Sequence, residues 1–179
     1  MPNPSPSFRE IVNLEELQKL FTTFSAATGY PTGLVECASG EVLFGTGWRE
    51  LCANFHRQNP ASKEQCHAGN LKIEHGLEKP GDIRINRCPH GLVHGCTPII
   101  VNGYRLANIF TGQVLFAPPD IDHFKKQARQ FSYDEAAYLE ALAETPVVSE
   151  EKFSAMLGFL AQMATMIARS GLANLRLQE

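Results

Sequence analysis

Cys52 and His56 stand four residues apart in "CANFHRQNPASKEQC", and Cys66 closes the same stretch. On a helix, side chains at that spacing share one face, so a thiol and an imidazole there can reach a common ion or ligand. Cys88 and His90 follow in "CPHGL". Together Cys52, Cys66, Cys88, His56 and His90 make a donor set of the kind that closes tetrahedral zinc or holds an iron–sulfur cluster. The thiols are separated by thirteen and then twenty-one residues with no C-x-x-C pair, which matches no strong zinc template. Two other readings of the same thiols stay open. Free cysteines pack as small buried hydrophobes, and thiols can serve as redox detectors. Cys88 and His90 also resemble a nucleophile–base pair, but closeness in sequence does not make a dyad.

Other enzyme signatures are thin. Gly45-Thr46-Gly47 lacks the third glycine and the strand-to-helix setting of a dinucleotide fingerprint, and there is no P-loop and no H-E-x-x-H. The expectation is a protein without catalysis. His67, His75 and His123 have polar neighbours and read as solvated, whereas His56, His90 and His94 are the histidines expected to face a cleft. Trp48, Phe44, Phe55, Phe110 and Phe116 are the aromatic residues available to line it. Gln113 sits in the apolar run "TGQVLF", where a buried amide must find a partner or cost about 1–3 kcal/mol. It is a candidate for orienting a small polar ligand.

The elements that must position these residues are legible from periodicity and punctuation. Asn13 and Glu16 resemble a capping box, and Leu14, Leu17, Leu20, Phe21 and Phe24 recur at helical spacing up to a stop near Gly29 and Pro31. "GLVECASGEVLFG" reads as two short strands around Ala38-Ser39-Gly40. Two helices are expected next, from Trp48 to about Gln58 and from Ser62 to about His75, the second capped by Ser62 with Gln65 and ended by Gly76. Ile83, Ile85 and Arg87 suggest a strand leading into "CPHGL". Asn102-Gly103 between two apolar runs is the strongest hairpin signal in the chain. Pro118-Pro119 closes the sheet region, after which Asp120–Arg129 and a segment capped by Ser132 and Glu135 read as helices. A last helix spans Ser149 to about Leu175. Its Phe153, Leu157, Leu160, Ala164, Ile167 and Gly171 form a heptad-like stripe, read either as packing on its own domain or as a parallel dimer seam.

This order implies an α+β fold: an antiparallel sheet with helices inserted mid-sequence and a C-terminal helical segment. The expected division is a flexible leader over 1–12, one α+β domain over 13–148 and a C-terminal helix over 149–179. Sheet and inserted helices would enclose a concave apolar site. With 44% hydrophobic and 20% charged residues and a net charge of -3, the chain lacks the clustered basic charge of a nucleic-acid or membrane surface. No apolar run approaches the roughly 18–20 residues that cross a bilayer. The Pro/Ser-rich start lacks a signal-peptide pattern, and an odd count of five cysteines fits reduced thiols in the cytoplasm.

"GWRELCANFHRQNPASKEQC", "CPHGLVHGCTPIIVNG" and "LANIFTGQVLF", in that order, resemble the PocR sensory domain, a PAS-like module of bacterial signal-transduction proteins. The likeness runs from about Leu14 to Ile167. It implies a PAS-like sheet with helical additions, no catalysis, and a ligand such as a short alcohol, a diol or a related hydrocarbon derivative. It also implies that Cys52, Cys66 and Cys88 are the family's recurring thiols, with Cys37 and Cys96 as extras. His94 and Cys96 depart from the family's pattern, where an acidic and a small residue are expected. The resulting expectation is a cytoplasmic sensory module that holds a small organic molecule against Trp48, Phe55, His56, Phe110 and Gln113. It would signal as a homodimer through its last helix, to an output that lies elsewhere. The alternative is a metal- or redox-sensing module built on the three thiols.

Overall fold

A computed structural model describes residues 6–178. Helix α1 (Phe8–Ile11) is a single turn, and α2 (Leu14–Thr28) follows directly. The Asn13 side chain accepts from the Glu16 N–H, and Gly29 ends α2 at a φ of 75°, where the missing Cβ removes the steric penalty. Strands β1 (Thr32–Glu36) and β2 (Val42–Thr46) form the expected hairpin. Residues Leu51–His56 then form a π-helical turn, and α3 (Pro60–Glu74), β3 (Arg84–Arg87), β4 (Val93–Val101) and β5 (Tyr104–Val114) complete the central region. Asn102 and Gly103 join β4 to β5 with φ of 51° and 83°, the two positive values that a tight type I′ hairpin requires. Helices α4 (Ile121–Gln130), α5 (Glu135–Ala143) and α6 (Glu150–Gln178) follow.

The five strands pair antiparallel in the order β2-β1-β5-β4-β3, an α+β arrangement consistent with a PAS-like fold. Alternation along the strands sends their side chains to two different layers. On one face Leu34, Ile99, Ala107 and Ile109 pack with Phe21 and Phe24 of α2 and with Phe153, Leu160 and Ala164 of α6. On the other, Val35, Cys96 and Phe110 meet Ile73 of α3 and Leu77. A separate cluster of Leu51, Leu92, Phe124, Tyr138 and Leu142 fastens the π-helical turn to α4 and α5.

Several expectations change here. The helix expected over Trp48–Gln58 is the π-helical turn, widened so that the Arg57 N–H reaches the Cys52 carbonyl five residues back. Asn59, not Ser62, caps α3: its side chain accepts from the Ala61 and Ser62 N–H groups, and Pro60 occupies the first turn, where its absent N–H costs nothing. Asp134, not Ser132, caps α5. Of the leader expected over 1–12, residues 1–5 lie outside the described residues. Phe8 and Ile11 are buried in the core, and the Asn174 amide of α6 donates to the Ile11 carbonyl. The stripe on α6 faces its own sheet. Phe153, Leu157 and Leu160 are fully buried, and a Cβ on Gly95 of β4 would lie 2.7 Å from Leu157 Cδ2. A dimer seam along that stripe would have to expose this core, so the packing reading replaces it.

Candidate functional site

Between the second face of the sheet and the π-helical turn with α3 lies a cavity of about 90 Å³. Its apolar wall comes from Val35, Val42, Leu92 and Phe110, and its polar wall from the segments that carry the thiols and histidines. Trp48, Arg57, Val42 and Asn70 border both this cavity and an open groove outside it, so they form its mouth. The Trp48 indole N–H donates to the Thr32 carbonyl at 2.7 Å, and a Cβ at Gly45 would overlap the ring. The Arg57 guanidinium lies over the indole, 4.4 Å from the ring centroid, a cation–π contact at the opening. Gln113 also lines the cavity, in a left-handed conformation with φ of 55° that few residues other than glycine adopt. Its side-chain oxygen accepts from the Arg49 N–H, which anchors the start of the π-helical segment to β5.

The histidines differ from one another. His56 Nε2 is 2.7 Å from the Tyr138 hydroxyl, and its ring stacks on His90 with centroids 4.3 Å apart. Gln127 donates its amide nitrogen to the His90 carbonyl, which turns its oxygen toward His90 Nδ1 at 3.0 Å, while His90 Nε2 meets the Ser62 carbonyl at 3.0 Å. Both His90 nitrogens thus face acceptors. Neither offers a lone pair to a metal or to a neighbouring Cys88 thiol. Burial first, and then the neighbouring His90 and Arg57, hold the His56 pKa down to about 3. His94 projects from β4 into the cavity, and its Nε2 is buried with no hydrogen-bond partner. Burial and the Arg57 charge lower its pKa to about 4, so its ring is neutral near pH 7.

Cys52, Cys66 and Cys88 all line the same cavity. Burial pushes each thiol upward, Cys66 to about 11; Cys88 raises Cys52 and Cys66 further, and Cys66 raises Cys52. Three backbone N–H groups, from Leu92, His90 and Gly91, favour the Cys88 thiolate without overcoming its burial. Cys52 Sγ lies 3.9 Å from His56 Nδ1, but among the described residues no group of three or more His, Cys, Asp or Glu side chains is arranged to hold a metal ion. With their values raised by burial the three thiols are protonated near pH 7, and they form part of the cavity wall.

Of the residues expected to touch a ligand, the structure brings Trp48, His56, Phe110 and Gln113 to the cavity. Phe55 instead packs edge-on against Tyr133 and Tyr138, with centroids 5.5 and 5.3 Å away. Phe44 sits against Phe21 and Phe116 against Phe153, both in the core on the opposite face. His67, His75 and His123 are exposed, as expected. Asn70 was not anticipated, and nor were Gln127 and Tyr138, which hold the two stacked rings. Arg57 stood beside His56 in a motif already singled out, and it could have been noticed as the one permanent charge there.

Residues 10–172 match the family model described as the sensory domain found in PocR. No curated protein matches the chain. Among the described residues, no helix is long and apolar enough to cross a membrane.

Proposed function

The chain belongs to the PocR sensory-domain family and is a sensory ligand-binding domain, and from that premise we propose that it detects a small organic molecule held in the cavity behind Trp48 and Arg57. The cavity's size carries this reading. A dry cavity of about 150 Å³ accommodates benzene, so 90 Å³ favours a guest of about two to four carbons, such as a short alcohol or diol. Val35 and Phe110 would receive its carbon chain, and His94 and Gln113 its polar end. With both His90 nitrogens engaged and the thiols protonated, the site reads as one that binds without reacting.

The same geometry supports transmission to α6. On β4, His94 faces the cavity while the adjacent Gly95 lies against Leu157 and Phe153 of α6. A guest that displaces His94 moves the strand on which α6 rests, and the guest's preference for one strand position is what shifts the equilibrium. Trp48 is the only tryptophan, so its emission reports occupancy directly. Titrating C2–C4 alcohols and diols should change that emission and raise the melting temperature. At a hundredfold over its Kd, a ligand adds about 2.7 kcal/mol, roughly 5–10 °C for a domain of this length. Val42→Phe, which fills the mouth, should abolish both responses. If no compound of that size alters either signal in the unmodified protein, the proposal fails.

A further inference from the structure

We infer that the guest is an acid: the cavity selects a short-chain monocarboxylate over the neutral alcohol of equal length, with Arg57 and His94 receiving the carboxylate. The inference rests on the cavity being the sensory site and adds the charge of what enters it. Arg57 is half-buried at the mouth, and among the described residues its guanidinium makes no ion pair and no side-chain hydrogen bond. Only the face stacked on Trp48 is engaged. No Asp or Glu lines the cavity, and Glu64, the one acidic residue of the outer groove, does not come within ion-pair distance of Arg57. A guanidinium presents five N–H donors in a planar fork that matches a carboxylate.

The second observation is independent of the first. His94 Nε2 is a buried polar atom without a partner, and such atoms carry a desolvation penalty that a ligand relieves. The ring is neutral, so a proton on Nε2 would donate one hydrogen bond to a carboxylate oxygen. The charge of Arg57 is felt at His94, His56, Cys52 and Cys66, so it is the field common to the whole site. An alcohol would leave that charge uncompensated. Inorganic phosphate or sulfate would satisfy it but would leave the apolar wall of Val35 and Phe110 in contact with nothing apolar.

Isothermal titration of the full chain with propionate, butyrate, 1-propanol and 1,2-propanediol tests this. The acids should bind at least about tenfold more tightly than 1-propanol, the gain expected of hydrogen bonds to a charged group. Arg57→Gln should remove that preference, bringing the affinities for propionate and 1-propanol to within about threefold of each other. Arg57→Lys, which retains the charge but not the fork, should keep part of the preference, and the melting temperature of each variant checks that it folds. Alcohols that bind as tightly as the acids would overturn the carboxylate inference and leave the sensory site standing. If none of the four compounds binds, both readings fall. Inorganic phosphate binding as well as propionate would also overturn the inference, because the apolar wall would then contribute nothing.

Discussion

The two faces of the sheet are stabilised by different means. Against α2 and α6, the strands present Leu34, Ile99, Ala107 and Ile109 to a packed apolar layer with Phe153, Leu157 and Leu160 fully buried. Against the π-helical turn and α3, the same strands present His94 and Phe110 to a hollow that is also lined by two stacked imidazoles and three protonated thiols. One face derives its stability chiefly from dispersion and exclusion of water, with the buried Ser25, Thr46 and Thr32 hydroxyls bonded to one another beside α2. The other relies on a hydrogen-bond network, and one of its atoms, His94 Nε2, is left unsatisfied. Natural sequences depart from full local consistency chiefly where function requires it, and of the buried polar atoms without a partner among the described residues, on Tyr30, Arg49, Asn108 and His94, only that of His94 lines the cavity.

The contrast predicts unequal responses to damage. Phe153→Ala on the packed face should cost about 3–5 kcal/mol, and thermal unfolding should fall by roughly 6–20 °C. A loss below about 1 kcal/mol would mean that α6 is not seated on the sheet.

Between pH 7 and 5 acidification should act chiefly on the hollow face. His56 and His94 both carry fewer protons folded than unfolded once the pH drops below 6.5, because their folded values lie at about 3 and about 4. Stability therefore falls as pH decreases through 6.5, and the loss continues toward pH 4 and below. The upper limit is about 1.4 kcal/mol per pH unit for each ring. The Arg57 charge opposes protonation of both rings, neighbouring His90 opposes that of His56, and no carboxylate lines the cavity to favour it. Denaturant midpoints measured between pH 7 and 5 should decline, and His94→Gln should shallow the slope. A flat profile would remove the claim that these rings are held neutral.

Tyr138→Phe should have the smallest effect, about 1–3 kcal/mol, by leaving His56 Nε2 without its hydroxyl partner. A neutral result would show that water replaces the hydroxyl and that the two faces differ less than the geometry implies.

How much of this was legible beforehand follows from what local patterns encode. The Asn13 cap, the Gly29 stop and the Asn102-Gly103 turn are backbone decisions made by a few neighbouring residues, and all three appear where expected. The apolar stripe of α6 was also visible, but periodicity says which face is apolar and not what covers it. The covering surface is the domain's own sheet. Ser62 and Ser132 looked like caps because serine suits that role. Asn59 and Asp134 nearby take it instead, which leaves Ser62 buried and donating to the His56 carbonyl at 2.6 Å. The three thiols were rightly gathered into one place, but their chemistry depends on burial, which spacing does not reveal. Gln127 and Tyr138 lie more than thirty residues from the rings they hold. No local signal marks them.

The widened turn at Leu51–His56 has a consequence for length as well as identity. Its Cys52 carbonyl is bonded five residues on rather than four, so the segment carries one residue more than an ordinary helical coil requires. Removing a single residue such as Ala53 would let the coil tighten while rotating everything downstream, and His56 would lose its place over His90. Drift among relatives should thus tolerate exchanges of side chains here more readily than gaps, since the surplus residue itself sets the angle of the wall.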